Sequence, residues 1–378
     1  MRVIDCDQHL VESRTMWAEH IDPSHRDDAL ALRDDDLGYT WLTWRDGRIE
    51  LADVQLPGDT LAVGALRKRQ RAGERSTQRY DEALPDHYWE PRTRASHLDA
   101  MQLDEAVLFP NYGLLWERPL SRDLDALTAN MTAWNRWCTT VVADGGARLH
   151  PVAHLTLRDA TWLERELASL SAGGVRLAMI APALVDGRPL SHQDHDRIWS
   201  AFVDHDVTPV FHVANQPRVF DDAWYTDDAD AFVPLLESVF LWTPPALALA
   251  DLVVNGVLDR HPELRIGIIE LSAVWVPLFL MMLDGAWDFA AKLNGQTPVE
   301  LSLRPSDYVR RQVRVAAFSY EQPQRLIRQA GDLFMCCSDY PHSEGTATPV
   351  DDYERSGTPV TDEGAGLFAR NIELLLGR

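Results

Sequence analysis

Eight short apolar runs recur along the chain, and longer amphipathic stretches separate them. Each run has the length and the content of β-branched residues that are typical of a buried strand. Runs that are apolar almost throughout indicate a parallel sheet covered by helices on both faces. The predicted strands are residues 2–6, 106–109, 149–155, 175–180, 208–213, 265–271, 313–318 and 333–337.

The amphipathic stretches between these runs predict helices. They lie at residues 94–103, 124–143, 161–170, 194–206, 245–260, 274–293, 322–330 and 363–376. Eight strands that alternate with helices predict an α/β fold, and eight is the number of strands that closes a (β/α)8 TIM barrel. An open, doubly wound sheet is the alternative, but no Gly-x-Gly-x-x-Gly motif follows the first run to support dinucleotide binding.

The length of the chain fits one barrel domain over residues 1–378. Residues 13–93, which follow strand 1, do not fit the strand–helix repeat. A long excursion of this kind is uncommon in a compact domain unless it has a role. We therefore expect residues 13–93 to be an insertion that lies over one end of the barrel as a lid.

The balance of charge excludes some partners. Lys and Arg total 36 and Asp and Glu total 58, so the formal net charge is −22. Such a chain is unsuited to nucleic acid or to an anionic membrane surface, although one local site can still bind a small anion. The four cysteines are too few for a disulfide framework, and the first residues do not resemble a signal peptide. We expect a cytoplasmic protein.

Polar residues that can bind a metal ion occur at the ends of four apolar runs. Asp7 and His9 follow the first run, His212 ends the fifth, Glu270 ends the sixth, and Asp339 follows the eighth. Because the reactive groups of a (β/α)8 barrel sit at the carboxyl ends of its strands, we expect these side chains to converge. Carboxylates and imidazoles together are typical of a site for Zn²⁺, Mn²⁺ or Fe²⁺.

Several short motifs resemble those of the amidohydrolase superfamily, specifically its branch similar to aminocarboxymuconate-semialdehyde decarboxylase. They include Ile4-Asp5-Cys6-Asp7-Gln8-His9, Trp134-Asn135-Arg136-Trp137, Pro209-Val210-Phe211-His212 and Ser338-Asp339-Tyr340-Pro341-His342, the last being the most specific. The resemblance covers most of residues 1–12 and 94–346. It implies a TIM-barrel enzyme with one divalent metal ion, Zn²⁺ in the first place and Mn²⁺ or Fe²⁺ as alternatives. The metal ligands that it implies are Asp7, His9, His212 and Asp339.

The reaction is open between hydrolysis and non-oxidative decarboxylation. The decarboxylases of this branch place a His at the end of strand six, where this chain has Glu270. We therefore expect a hydrolase in which Asp339 takes a proton from water and Glu270 or His342 protonates the leaving group. The expected substrate is a small organic molecule, carboxylated or cyclic. A decarboxylase, a tailoring cyclase or isomerase, and a catalytically silent barrel are the alternatives.

Three further residues are candidates for substrate binding. Arg176 lies in the fourth run, where a buried cation needs a partner such as Glu270 or a substrate carboxylate. His154 ends the third run, and Trp89 belongs to an aromatic group in the insertion. The apolar stretch 274–283 predicts a buried helix or a subunit interface. Members of the resembled family are often dimers, so we expect a homodimer.

Overall fold

Eight parallel strands form the central sheet of the structure, a computed structural model that describes residues 1–52, 63–77, 79–112, 115–213, 218–225, 235–297 and 299–378. The sheet has the order β1-β5-β6-β7-β8-β9-β10-β11, and β2, β3 and β4 form a separate antiparallel sheet. The strands are β1 (Ile4–Leu10), β2 (Leu30–Asp34), β3 (Thr40–Trp44), β4 (Gly47–Leu51), β5 (Glu105–Pro110), β6 (Leu149–His154), β7 (Leu177–Met179), β8 (Thr208–His212), β9 (Ile266–Ile269), β10 (Val313–Ala316) and β11 (Phe334–Met335).

Hydrogen bonds between β1 and the segment that contains and follows β11 close this sheet into a barrel. The amide of Cys6 donates to the carbonyl of Cys336 at 2.9 Å, and the amide of His9 donates to the carbonyl of Tyr340 at 2.7 Å. The predicted (β/α)8 TIM barrel is therefore confirmed. The largest difference from the predicted strands is in β1, which continues through polar residues to Leu10.

Helices surround the barrel. Asp123 and Asp159 begin the two helices that follow β5 and β6, because each carboxylate accepts a backbone amide of the first turn. The helices are α1 (Met16–His20), α2 (Val63–Arg71), α3 (Tyr80–Ala83), α4 (Pro91–His97), α5 (Glu117–Leu120), α6 (Leu124–Gly145), α7 (Ala160–Ala172), α8 (Asp196–Asp204), α9 (Leu235–Phe240), α10 (Thr243–Val254), α11 (Val257–Arg260), α12 (Val276–Asn294), α13 (Pro305–Gln312), α14 (Pro323–Ala330), α15 (Pro349–Arg355) and α16 (Asn371–Leu375).

Apolar side chains fill two layers, one inside the barrel and one between the sheet and the helices. On β5, Val107 and Phe109 belong to the inner layer, whereas Ala106 and Leu108 belong to the outer one. This alternation is the period of two that a strand imposes on its side chains. The inner layer continues into α16, whose Leu375 carbonyl accepts the hydroxyl of Thr208 at the start of β8. The carboxyl-terminal helix thus packs at the amino end of the barrel.

The segment 13–93 contains the small antiparallel sheet and packs on α6. The amide of Leu30 donates to Asn130 Oδ1 at 2.9 Å, and Asn130 Nδ2 donates to the carbonyl of Asp28 at 2.8 Å. Residues 53–62 and 78 of this segment lie outside the described residues. The division into one domain over 1–378 and the lid role of 13–93 stay predictions.

Residues 235–254, which contain α9 and α10, are long and apolar enough to cross a membrane by length and composition alone. However, α10 packs Leu249 and Leu252 fully into the core between the helices and the sheet, as a barrel helix does. The cytoplasmic location and the expected absence of membrane and nucleic-acid partners stay predictions.

An exposed apolar stripe runs along α12 and the residues just before it. Six large apolar residues of this α12 stripe are 57% to 74% exposed: Val274, Leu278, Met281, Met282, Phe289 and Leu293. Gly285 lies in the middle of the helix, and a Cβ there would meet nothing within 4 Å. A glycine inside a helix costs about 1 kcal/mol relative to alanine. The close approach of a second helix would offset this cost, which makes the α12 stripe suited to a second copy of the chain.

We expect the α12 stripe to form the homodimer interface. The Met281→Glu variant should then weaken the dimer at least about tenfold. A tenfold change in the dissociation constant corresponds to about 1.4 kcal/mol, and burying an unpaired charge in the interface costs more than that. Size-exclusion chromatography with light scattering measures the mass against 42.7 kDa for one chain. Leu184→Glu is the matched control, because Leu184 is 66% exposed outside the stripe. A wild-type monomer, or a Met281→Glu protein that stays dimeric at every concentration, would contradict the prediction.

Candidate metal centre

An irregularity in β1 directs Asp7 and His9 into the barrel. Cys6 belongs to the inner apolar layer, so simple alternation along the strand would turn Asp7 and His9 outward. Between Asp5 and Gln8, however, β1 has one residue more than the facing stretch of β5. This β-bulge shifts the alternation by one residue. Asp7 and His9 therefore share the inner face with Cys6.

Side chains from β1, β8 and the ends of β9 and β11 meet at the carboxyl end of the barrel. His212 Nε2 lies 3.3 Å from Asp7 Oδ1 and 3.1 Å from Glu270 Oε2. His9 Nε2 lies 3.1 Å from Asp339 Oδ1 and 3.6 Å from Asp7 Oδ1. The ligand atoms of two overlapping groups lie within 4.8 Å of one another: Asp7, His9, His212 and Glu270, and His9, Glu270, Asp339 and His342. The residues predicted to bind metal or to catalyse all belong to these two groups, which share His9 and Glu270, whereas Asp7 and Asp339 belong to different ones.

Several polar atoms of this cluster are buried without a hydrogen-bond partner. Among the described residues, these atoms include Asp7 Oδ2, His9 Nε2 and Glu270 Oε2. A buried polar atom that lacks a partner costs about 1–3 kcal/mol. Two of these atoms are carboxylate oxygens and the third is an imidazole nitrogen, which are ligands of divalent metal ions. The residues present therefore fit a cation held between them.

Backbone carbonyls fix the orientation of both histidines. His9 Nδ1 donates to the carbonyl of Pro110 at 3.2 Å, and His212 Nδ1 donates to the carbonyl of Val213 at 3.0 Å. A proton on Nδ1 leaves the lone pair on Nε2, the atom that faces the cluster. Burial lowers the pKa of His9 to about 3 and that of His212 to about 4. Both rings are therefore neutral at pH 7, the state that a metal ligand needs.

The three carboxyl groups of the cluster titrate differently. Burial raises the pKa of Asp7 and of Glu270 well above the ordinary values, and the charge of Asp339 raises both further. Burial acts in the same direction on Asp339, but the neighbouring His342 lowers the pKa of Asp339 well below its ordinary value. Burial opposes the charge of His342, yet Asp339 raises the pKa of His342 to about 9. Asp339 and His342 thus form an ion pair beside two carboxyl groups whose ionisation is disfavoured by burial and by the charge of Asp339.

His342 covers one side of the cluster. Its ring stacks on that of His9 with the centroids 3.8 Å apart. Its Nδ1 donates to Asp339 Oδ1 at 2.7 Å, and its Nε2 donates to Asn111 Oδ1 at 3.0 Å. Asn111 was missed by the sequence analysis. It directly follows β5, so the strand-end position that identified the other site residues was the available signal.

Two residues of the cluster have left-handed backbone conformations. Glu270 has φ +55° and Asp339 has φ +58°. A non-glycine residue in such a conformation costs about 1–3 kcal/mol, and surrounding contacts must hold it. Glu321 accepts the hydroxyl of Ser272 at 2.6 Å in the turn after Glu270, and the amide of Asp339 donates to the carbonyl of Asp7 at 2.9 Å. These contacts fix where both carboxyl groups point.

A buried layer of polar residues supports the cluster from behind. Arg94 is fully buried and donates to Gln8 Oε1 at 3.1 Å and to the carbonyl of His9 at 2.9 Å. Asp5 accepts Gln8 Nε2 at 2.8 Å and the amide of Ser338 at 3.0 Å. This network joins β1, which carries Asp7 and His9, to the segment that carries Asp339. The two backbone segments that supply these side chains are therefore held together by hydrogen bonds.

A small cavity adjoins the cluster beside His212. It measures about 20 Å³ and is lined by Glu117, His154, Met179, Ile180, Ala181, Pro182 and His212. His154 Nε2 donates to Glu117 Oε2 at 3.0 Å. Asn135 fixes the backbone of His154, since it accepts the amide at 2.8 Å and donates to the carbonyl at 3.2 Å. The predicted site residue His154 therefore lines this cavity, and Glu117, the first residue of α5, was missed by the sequence analysis because no pattern marks it.

The other two residues predicted to bind substrate do not reach the cluster. Arg176 precedes β7 at the amino end of the barrel and donates to Ser171 Oγ at 3.1 Å. The predicted strand began two residues too early, so Arg176 lies before β7 and not within it, and its role in substrate binding stays a prediction. Trp89 precedes α4 and is 38% exposed. No contact between Trp89 and the cluster is found within the described ranges.

Comparison with known proteins finds relatives by structure alone. No family model and no curated protein matches the sequence. An amidohydrolase of Mycobacterium avium subsp. paratuberculosis K-10 is 23% identical with a TM-score of 0.78, and the match covers 100% of this chain and 99% of that one. The 5-carboxyvanillate decarboxylase of Sphingomonas paucimobilis is 15% identical with a TM-score of 0.65, over 100% and 99% of the two chains.

A third similar structure holds a metal ion. The 5-carboxyvanillate decarboxylase of Novosphingobium aromaticivorans, complexed with manganese and 4-hydroxy-3-methoxy-5-nitrobenzoic acid, is 17% identical with a TM-score of 0.63. The match covers 100% of this chain and 96% of that one. The chain therefore has the fold of these amidohydrolases and decarboxylases.

Proposed function

We propose that the chain is a metal-dependent hydrolase with one divalent ion, Zn²⁺, Mn²⁺ or Fe²⁺, at the carboxyl end of its barrel. The observation that carries this proposal is that two neutral imidazoles and three carboxyl groups lie close together, and that several of their buried polar atoms have no hydrogen-bond partner among the described residues. The proposed ligands are Asp7, His9, His212 and Asp339. The manganese in a structure of the same fold supports a divalent ion. Glu270 lies at the same place and can act as a further ligand or as an acid.

The residues around the ion divide the proton transfers between them. A divalent ion in this position would lower the pKa of water and polarise a substrate carbonyl. Asp339 stays ionised and takes the proton that the attacking water loses. His342, which donates to Asp339 at 2.7 Å, holds a second proton for the leaving group. Glu270 is the alternative donor, because its raised pKa keeps it protonated.

The charge around the cluster favours hydrolysis over decarboxylation of an organic acid. The ion-pair partners of Asp7, Glu270 and Asp339 in the described residues are histidines, never Lys or Arg. The residues outside the described ranges contain no Lys and no Arg. A carboxylate substrate would thus meet three carboxyl groups, and among their described partners only the charge of His342 would offset them. A neutral amide, ester or lactone avoids this repulsion.

Decarboxylation is the second candidate, because several proteins with this fold are named decarboxylases. In that reaction the protein protonates the carbon that loses carbon dioxide, and Glu270 or His342 is placed to do so. A cyclase or isomerase and a silent barrel stay open as alternatives, and metal content tests the last of these.

We expect the purified protein to bind one divalent ion per chain, and the Asp7→Asn and His212→Ala variants to lose at least about 100-fold in affinity, as the loss of a ligand predicts. Inductively coupled plasma mass spectrometry and titration with Mn²⁺ measure this. His192→Ala is the control, since His192 lies outside the cluster and its Nδ1 accepts the amide of Asp194 at 3.3 Å. Equal metal content in all four proteins would contradict the proposed site.

We expect metal binding to release protons and to strengthen as the pH rises. Asp7 and Glu270 have raised pKa values, so they hold protons in the metal-free protein that an ion must displace. Protons compete best at low pH, so affinity falls from about pH 8 to pH 6. Calorimetry in two buffers of different ionisation enthalpy counts the protons, and Glu270→Gln should release fewer. Affinity that does not change with pH would contradict this prediction.

We expect Asp339→Asn to lower turnover at least about 100-fold, because the amide cannot take a proton from water. The assay uses a panel of amides, esters and lactones beside a panel of hydroxybenzoates, in ¹⁸O-labelled water. Hydrolysis places one labelled oxygen in the product, whereas decarboxylation releases carbon dioxide from the hydroxybenzoates. Carbon dioxide release without labelled product would overturn hydrolysis in favour of the second candidate. The control Asp352→Asn changes a carboxylate on α15, outside the cluster.

A further inference from the structure

The cavity beside His212 is built to receive a hydrogen-bond donor. We propose that Glu117 and His154 bind the far end of the substrate, a group that carries an ammonium, amide N–H or hydroxyl donor, and that the site rejects a carboxylate there. This inference rests on the proposed function, since it assumes that the reacting end of the substrate lies at the metal cluster. It names the substrate class: a small neutral or cationic molecule with a hydrolysable carbonyl and a terminal donor.

The hydrogen bonding of His154 leaves one acceptor unused. Its Nε2 donates to Glu117 Oε2 at 3.0 Å, and in the neutral imidazole this hydrogen bond leaves the lone pair on Nδ1. His154 is only 2% exposed, and its Nδ1 is buried without a partner among the described residues. A buried acceptor without a donor costs about 1–3 kcal/mol, which a ligand N–H or O–H would recover. The imidazole can thus accept a hydrogen bond from a ligand, and the carboxylate of Glu117 lies beside it.

The size and the walls of the cavity limit what enters. About 20 Å³ holds little more than one water-sized group, for which roughly 10–15 Å³ is needed. Met179, Ile180 and Pro182 form apolar walls around the Glu117–His154 pair. Apolar walls lower the local dielectric constant and so strengthen a polar contact with the pair. A single amino, amide or hydroxyl group therefore fits better than a larger polar group.

The cavity and the cluster share the ring of His212 as a wall. His212 lines the cavity, and its Nε2 lies 3.3 Å from Asp7 Oδ1 in the cluster. One short molecule can therefore place a carbonyl at the cluster and a donor in the cavity. The Glu117 carboxylate adds to the negative charge of the cluster, and no Lys or Arg forms an ion pair with Glu117 in the described part of the chain. An anionic tail in the cavity would be repelled by Glu117.

The test uses three hydroxamates that differ only in their tails. Hydroxamates chelate protein-bound metal ions, so the head group reports on the cluster and the tail on the cavity. The probes are 3-aminopropanohydroxamate, 3-hydroxypropanohydroxamate and the monohydroxamate of succinate, titrated calorimetrically into the metal-loaded full-length protein. We expect the ammonium and hydroxyl probes to bind at least tenfold more tightly than the carboxylate probe. Equal affinity, or tighter binding of the carboxylate probe, overturns the inference.

Variants distinguish the effect of the cavity residues on probe binding from the effect of the negative charge around the whole site. Glu117→Gln should reduce the preference for the ammonium probe over the carboxylate probe at least tenfold, and His154→Phe should weaken the ammonium and hydroxyl probes alone. Glu344→Gln is the matched control, because Glu344 also raises the pKa of Glu270 yet does not line the cavity. An equal effect of Glu344→Gln on the preference overturns the role of the cavity.

Acetohydroxamate, which has no tail, separates this inference from the proposed function. If the metal-loaded protein binds acetohydroxamate but does not discriminate among the three tails, only the inference on the cavity fails. If the protein binds neither metal nor acetohydroxamate, the proposed function is wrong, and the inference on the cavity, which rests on it, is wrong as well. Circular dichroism and thermal unfolding of each variant confirm that it is folded, and the wild-type comparison of tails needs no variant.

Discussion

Three carboxyl groups and two imidazoles crowd at one point of the barrel, and positive charge has to balance them. Two unit charges about 4 Å apart repel by about 4 kcal/mol at the effective dielectric constant of a protein. In the metal-free chain, protons on Asp7 and Glu270 and the charge of His342 reduce this repulsion. A divalent ion would perform the same task with one charge centre. In the proposed function the cluster would exchange these protons for a metal ion, so its stability and its chemistry would depend on the same balance of charge.

Irregular backbone conformations in the barrel bring these side chains close together. The bulge in β1 interrupts the ladder between Asp5 and Gln8, and Glu270 adopts a left-handed backbone. Each irregularity costs energy that regular strands would save. The buried network through Arg94 holds β1 in place. Irregular backbone at the carboxyl end thus rests on a regular apolar barrel, whose inner layer continues to α16 at the opposite end.

The sequence predicts the barrel because apolar runs report burial directly, and it predicts the cluster because reactive groups follow strands in this fold. The same signals fail where the backbone departs from regular alternation. Nothing in the composition of β1 marks the bulge that turns both Cys6 and Asp7 inward. Arg176 was misplaced because its strand starts at Leu177, one residue beyond it. Glu117 begins the four-residue helix α5, and only its contact with His154 in the folded structure identifies it.

The net charge of −22 leaves the charge of the substrate open, since a local site can oppose the field of the whole protein. In the structure, carboxyl groups surround the cluster and Glu117 adds another beside it, so acidic side chains outnumber the one charged histidine, His342. A bound divalent ion would add the remaining positive charge. A substrate carboxylate would then compete with Asp7 and Asp339 for that ion. A neutral or cationic substrate would not compete, and this supports the proposed attack of water on a carbonyl.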